Sequence, residues 1–232
     1  MTAAPAPHPL TGPVEDYLKV IYDLERVGEP AATNDIAERL AISPASVSGM
    51  MRRLADQGLI THEPYRGVRL TDSGRRAALR TLRRHRILEC YLTAVLGYPW
   101  DGVHEEAERL EHAASEELIE RMARALGDPV QDPHGAPIPT RDGRVEEQAL
   151  RTLSVAATGE RVRVRLVQDE DAPRLRYLAE LGIRPGAVLR ILDRAPFEGP
   201  MTLWVDESGG GTTRAIGVGL AEHVFVDAAG TE

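Results

Sequence analysis

The segment His104-Glu105-Glu106-Ala107-Glu108-Arg109-Leu110-Glu111-His112 carries the most concentrated set of ligating side chains in the sequence. On a helix that turns about 100° per residue, His104, Glu108, Glu111 and His112 fall within one arc of about 100°. Two imidazoles and two carboxylates therefore share a face that would otherwise be apolar. His85 and Glu89, four residues apart, form a second such pair, and Asp16 stands directly ahead of the apolar Tyr17 and Leu18. A single Glu-His face is ordinarily a solvated one. Three helices that each turn such candidates inward would instead build a cation site.

Catalytic patterns fit these residues poorly. A zinc protease needs His-Glu-x-x-His, and the residue four after His104 is Glu108. A ferritin-like di-iron site needs Glu-x-x-His, but Arg109 and Asp101 stand three before His112 and His104. No glycine-rich phosphate loop precedes a helix, and no serine or cysteine nucleophile motif is present. The single cysteine, Cys90, reads as a small core residue.

The elements that must position these groups are legible from periodicity. Val14 to Val27 places Tyr17, Leu18, Ile21, Tyr22 and Leu24 at helical spacing. Thr33 is expected to cap a helix through Ile36, Ala37 and Leu40, and Ser43-Pro44 to open another through Val47, Met50, Met51 and Leu54. Leu59–His62 and Val68–Thr71 read as strands around the turn Tyr65-Arg66-Gly67. Two short helices followed by a hairpin make a winged helix-turn-helix. A recognition helix needs small side chains where it meets bases and cations where it meets phosphates. Ser43, Pro44, Ala45, Ser46 and Ser48 supply the first, and Arg52 and Arg53 with the hairpin's Arg66 and Arg69 supply the second. A winged helix used only for protein contacts is the competing reading, and the local charge speaks against it.

A long helix is expected from Asp72 toward Leu96 and a helical region from Val103 to Leu126. The proline-bearing segment Asp128 to Gly143 reads as a loop or linker, followed by a short helix from Val145 to Leu153. From Glu160 the texture turns to β, with alternation in Val162–Val167 and Val188–Leu192, then Met201–Val205 and Val224–Val226.

The 232 residues carry a net charge of −8, but it is unevenly spread. From Arg39 to Arg86 there are eleven arginines against three acids; from Asp101 to Leu150 there are thirteen acids against five arginines. One part suits polyanions and the next concentrates carboxylates. With 42% hydrophobic residues the chain can build real cores, which excludes disordered and collagen-like classes. One cysteine allows no internal disulfide and points to a reducing compartment. No run approaches the roughly 18 apolar residues of a membrane span. Met1–Leu10 lacks a signal peptide's basic and apolar regions, so the expectation is a soluble cytoplasmic protein.

On these residues the chain resembles the metal-dependent transcriptional repressors of the diphtheria toxin repressor (DtxR/MntR) family. The matching stretches are Glu15-Asp16-Tyr17-Leu18 with Ile21-Tyr22, Asp35-Ile36-Ala37-Glu38-Arg39-Leu40 and Arg84-His85-Arg86. Val103-His104-Glu105-Glu106-Ala107, Glu111-His112 and Gly135-Ala136-Pro137-Ile138-Pro139 continue the match, and Leu181-Gly182-Ile183-Arg184-Pro185-Gly186 resembles the Src-homology-like barrel of ferrous-iron transport accessory proteins. The resemblance implies a mainly α protein with a small β domain. A winged helix would occupy residues 1–75, a helical dimerisation and metal domain 76–153, and a linker with a small β-barrel 154–232.

The resemblance also implies two metal sites. The regulatory one would use Asp16, Glu108, Glu111 and His112, the ancillary one His85, Glu89 and His104. Carboxylates at Asp16 and Glu108, where iron-responsive members carry methionine and cysteine, suit Mn²⁺ and remain compatible with Fe²⁺. Asp169, Glu170 and Asp171 are the local candidates for a barrel donor, with Arg174 where an amide donor is expected. Lys19 stands where manganese-type members have a glutamate, so a close binuclear pair is not expected. Metal would act as corepressor for a homodimer on a palindromic double-stranded operator, with no organic cofactor and no membrane. The competing classes are a metal-independent winged-helix regulator sensing a small ligand, which needs an apolar pocket, and a metalloenzyme, which needs an open coordination position and a substrate cleft.

Overall fold

A computed structural model of the chain describes residues 10–26, 28–63, 65–146, 149–168, 171–207 and 210–229. The chain divides into two compact units. One comprises the residues as far as His85 with Glu111–Ala114 and Pro139–Val145; the other comprises Arg86–Leu110, Ser115–Ile138 and the chain from Glu146.

In the first unit, α1 (Gly12–Glu25) opens with a proline in its first turn, where a missing N–H costs nothing. Tyr17, Leu18, Ile21 and Tyr22 bury its apolar face. α2 (Thr33–Arg39) differs from expectation at its start: Ala32 is the N-cap, and Thr33 is the first helical residue with no capping bond. The cause lies one residue earlier, where Ala31 exchanges backbone hydrogen bonds with Val68 at 2.9 and 3.0 Å and holds the chain extended up to Ala32. α3 (Pro44–Asp56) begins as its sequence predicts, with the Ser43 side chain accepting from Ser46 N at 3.2 Å.

β1 (Ile60–Glu63) and β2 (Gly67–Leu70) pair antiparallel with His62 opposite Val68. Gly67 adopts φ +132, and a Cβ there would stand 2.2 Å from the Ala31 oxygen, so only glycine lets the wing lie against the Ala31 bridge. α4 (Asp72–Ala94) starts beneath Thr71, whose hydroxyl accepts from Gly74 N at 3.1 Å. Leu18, Ile21, Ile36, Val47, Leu54 and Val68 meet in one core, each worth about 1.5–3 kcal/mol when fully buried. The buried Glu25 accepts from Leu70 N at 2.7 Å and from Arg75 at 3.0 Å, locking α1 to the wing strand and to α4.

In the second unit the helical region after Val103 is two helices. α5 (Val103–Glu111) and α6 (Glu116–Ala125) are separated because the Ser115 side chain accepts from Leu118 N and starts a new helix. The short helix expected from Val145 to Leu153 is not formed: residues 145, 146, 149 and 150 are irregular, and 147–148 lie outside the described residues. Instead β3 (Arg151–Thr152) pairs with β8 (Val224–Ala228), and a single 3-10 turn drops Leu153 into the β core. Between them run β4 (Arg161–Val167), β5 (Val188–Arg194), β6 (Met201–Glu207) and β7 (Gly210–Ile216). The six strands are ordered β3-β8-β4-β5-β6-β7, with neighbours antiparallel, and bulges between Val164 and Leu166 and between Ile191 and Asp193 bend the sheet. α7 (Ala172–Glu180), which the apolar pattern does not announce, buries Leu175 and Leu178 in the same core. A last short helix, α8 (Val218–Ala221), precedes β8.

The proline-bearing loop is docked rather than free. Trp100 packs into the β core and donates from Nε1 to the Pro133 oxygen at 2.9 Å. Val167 N donates to the His134 oxygen at 2.9 Å. Gly135, at φ +91, lies so close to β4 that a Cβ would meet the Arg165 oxygen at 1.9 Å.

Candidate metal centres and DNA-binding face

Within the first unit, Asp16 on α1 meets Glu111, the last residue of α5, and His112 immediately after it. One ligand atom from each of the three lies within 4.8 Å of the others. His112 Nε2 is 2.8 Å from Asp16 Oδ1 and 3.5 Å from Glu111 Oε1, while its Nδ1 is 2.7 Å from Glu15 Oε2. Arg84 holds the other Glu15 oxygen at 2.5 Å and donates to the Glu111 backbone oxygen at 2.9 Å. The Glu111 side chain is fully buried; Oε1 accepts from Lys19 Nζ at 2.8 Å and Oε2 faces His85 Nδ1 at 2.6 Å.

The charges respond to this crowding. Burial raises Asp16 above the ordinary carboxylate value, against the opposing pull of His112 and Lys19. Burial would raise Glu111 too, but the His85 hydrogen bond and the Lys19 charge prevail and hold it low. Burial works against the His112 imidazolium, yet its hydrogen bond to Glu15 and the nearby Asp16 and Glu111 charges raise it overall. Oxygen and imidazole donors in this number, with a carboxylate on the far side of the histidine ring, suit a divalent ion.

Within the second unit, Glu89 Oε1 lies 3.3 Å from His104 Nδ1, and His104 Nε2 lies 3.6 Å from Glu108 Oε1. Glu89 and His104 were expected together, whereas Glu108, expected with Asp16, Glu111 and His112, is turned to His104 instead and is not among the three residues that converge at Asp16. His85, one helical turn before Glu89, gives its Nδ1 to Glu111. A further group was not anticipated: Glu89, Asp132 and His134, all buried, also place ligand atoms within 4.8 Å of one another. His134 Nε2 donates to the Trp100 backbone oxygen at 2.9 Å, so in the neutral ring Nδ1 carries the lone pair and faces Glu89 Oε1 at 3.9 Å. Asp132 Oδ1 accepts from His134 N and Ala136 N, which shapes the loop. The signal for this group was the Asp132-Pro133-His134 spacing, hidden in a stretch whose prolines announce only a loop. Asp171 caps α7, accepting from Arg174 N at 2.9 Å; Asp169 and Glu170 lie outside the described residues.

The DNA-facing candidates are on the surface of the winged helix. Ser43, Pro44, Ala45, Ser46, Ser48, Arg52 and Arg53 are all exposed along α3. Ser48 and Arg52 share an open cleft with His62, Tyr65 and Arg66 of the wing. Arg66 pairs with Glu29 at 2.9 Å on the exposed surface. Arg69 is held by Glu63 at 2.5 Å and by the Gly28 oxygen at 3.1 Å.

A winged helix with an exposed recognition face, together with clusters of carboxylates and imidazoles, defines a metal-binding, DNA-binding regulator. The family models agree. Residues 9–68 match the iron dependent repressor N-terminal DNA binding domain, 71–140 its metal binding and dimerisation domain, and 151–228 the FeoA domain. The chain is 34% identical over 195 residues to the diphtheria toxin repressor of Corynebacterium efficiens, covering 79% of this chain and 84% of that one. It is 41% identical over 130 residues to the iron-dependent repressor IdeR of Mycobacterium tuberculosis, 56% of each chain. Among solved structures, a manganese-dependent transcriptional repressor in complex with manganese matches at TM-score 0.87 and 41% identity, over 93% of this chain and 100% of that one. The repressor ScaR with bound Zn²⁺ matches at TM-score 0.78 and 31% identity, over 93% and 99%. The chain belongs to the iron-dependent repressor family, whose members are transcriptional repressors and not enzymes. The readings as a metal-independent ligand sensor and as a metalloenzyme find no support in these relatives. No helix among the described residues is long and apolar enough to cross a membrane.

Proposed function

We propose that this protein is a cytoplasmic repressor that binds a palindromic operator as a homodimer when Mn²⁺, or secondarily Fe²⁺, fills its regulatory site. The observation that carries the reading is the convergence of Asp16, Glu111 and His112, whose ligand atoms lie within 4.8 Å of one another. The family resemblance adds Glu108 to the regulatory set; its carboxylate faces His104 here, so Asp16, Glu111 and His112 carry the reading. A second, ancillary set comprises His85, Glu89 and His104, with Asp132 and His134 offering Glu89 an alternative pair of partners. The absence of a thioether or thiolate donor in the regulatory set favours the harder ion.

A bound divalent ion supplies positive charge that offsets the clustered carboxylates. Asp16 belongs to the helix that carries much of the winged-helix core, so holding Asp16 against Glu111 and His112 holds α1 as well. Glu15 and Arg84 keep the His112 ring turned to Asp16. Fixing α1 in both protomers sets the spacing of two recognition helices to successive major grooves, about 34 Å apart. Ser43, Pro44, Ala45, Ser46 and Ser48 then meet base edges, while Arg52, Arg53, Arg66 and Arg69 meet phosphates.

The test is an anisotropy titration on palindromic fragments that the protein selects from a random pool in Mn²⁺. Binding should rise steeply with Mn²⁺ and with Fe²⁺ under anaerobic conditions, and vanish in chelator. Equal binding in chelator and in manganese would overturn the corepressor role.

A further inference from the structure

We infer that Lys19 is a built-in competitor for the cation at Asp16, Glu111 and His112, and that it sets the Mn²⁺ concentration at which this site fills. The inference rests on the regulatory-site reading and adds the residue that tunes it. Lys19 lies one helical turn after Asp16, with its side chain 13% exposed, and its ammonium is 2.8 Å from Glu111 Oε1. That same oxygen is also 3.5 Å from His112 Nε2. The other oxygen, Oε2, faces His85 Nδ1 at 2.6 Å. A cation gathered by Asp16, Glu111 and His112 thus draws on the carboxylate oxygen that the lysine already holds.

Two effects of Lys19 oppose each other. It helps to orient Glu111, which favours an incoming ion, and it places a positive charge beside the ion's position, which disfavours it. Orientation is the smaller effect, because Glu111 keeps two other holds. His85 engages its second oxygen and Arg84 its backbone carbonyl at 2.9 Å. Repulsion between a monovalent and a divalent charge a few ångströms apart in a partly buried site is the larger one, and it scales with the product of the charges. Lys19 also reduces the net negative charge that the ion meets, since Glu15 is already matched by Arg84 at 2.5 Å. Removing the lysine charge should therefore tighten metal binding and at the same time leave the buried Glu111 carboxylate poorly balanced without metal.

The experiment compares full-length wild type, Lys19→Met, Lys19→Gln and Lys19→Arg by calorimetric Mn²⁺ titration and by thermal unfolding with and without Mn²⁺. Lys19→Met and Lys19→Gln should bind Mn²⁺ about tenfold tighter or more. They should melt below wild type in chelator and gain more on adding Mn²⁺. Lys19→Arg, which keeps the charge, should stay near wild type. If wild type binds Mn²⁺ but neither neutral variant binds it more tightly, Lys19 is only a structural anchor and the inference is overturned. Asp16→Ala marks which binding event is read. Should wild type bind no Mn²⁺, or Asp16→Ala bind it normally, the regulatory-site reading itself fails and the role of Lys19 falls with it.

Discussion

Both ring nitrogens of His112 face carboxylates: Nδ1 lies 2.7 Å from Glu15 Oε2 and Nε2 lies 2.8 Å from Asp16 Oδ1. Glu15 cannot swing away, because Arg84 holds its other oxygen. A carboxylate behind a ligating imidazole fixes its tautomer and raises its basicity, and losing such a partner costs about 10–100-fold in metal affinity. Glu15→Ala should lower Mn²⁺ affinity by that order in equilibrium dialysis. Wild-type affinity in the variant would mean that the ring is oriented without Glu15.

The same geometry makes the site a competition between a proton and a metal. His112 is raised above its ordinary value of 6.5. A group raised on folding stabilises the fold while protonated, so its contribution is full below 6.5 and fades as pH rises through the folded value. In chelator, the melting-temperature gap between wild type and His112→Gln should therefore be wider at pH 6 than at pH 8. Metal needs the deprotonated ring, so Mn²⁺ affinity should change in the opposite sense, weakening as pH falls toward 6. A gap that is flat across this range would show that His112 does not titrate there.

Arg52 and Arg66 test the docking of recognition helix and wing. Arg52 is exposed, and the Arg66–Glu29 pair leaves the two side chains 62% and 69% exposed. An ion pair so exposed is worth about 0–1 kcal/mol, too little to keep Arg66 from a phosphate. Arg52→Ala and Arg66→Ala should each weaken binding to all sequences and reduce the salt slope by about 1. Ser46→Ala should alter preference among sequences instead, and it leaves the helix cap intact because Ser43 accepts from the Ser46 backbone. Unchanged salt slopes in both arginine variants would refute this docking.

How much of this was legible in the sequence depended on whether the signal was local. The winged helix follows from periodicity, and α3 opens at Ser43-Pro44 as read, although the cap expected of Thr33 is not formed. The arginine-rich block was misleading in part, since charge counts carry no direction. Arg75, Arg83, Arg84 and Arg86 spend their guanidinium groups on Glu25, the Pro139 oxygen, Glu15 and the Pro137 oxygen. Asp132 and His134 were invisible as candidate ligands because tertiary docking of the loop, not its composition, brings them to Glu89. Cys90 is the core residue its isolation suggested: burial, with the Asp132 and Glu89 charges, pushes its thiol up to about 12.

Metal choice can be tested at Asp16, the one candidate ligand on α1. Its Oδ1 stands 2.8 Å from His112 Nε2, close enough for the two to share an ion. Asp16→Met exchanges a charged oxygen donor for a thioether of similar reach. Mn²⁺ gains most of its affinity from carboxylates and binds thioether poorly, whereas Fe²⁺ tolerates softer donors. The substitution also removes one negative charge next to Lys19, whose ammonium then weighs more heavily on the remaining Glu111. Both ions should therefore bind less well, and the informative quantity is the ratio of their half-saturation concentrations for operator binding, measured anaerobically. That ratio should shift toward Fe²⁺ in the variant. An unchanged ratio, with both affinities near wild type, would remove Asp16 from the ligand set and leave α1 without a direct hold on the metal.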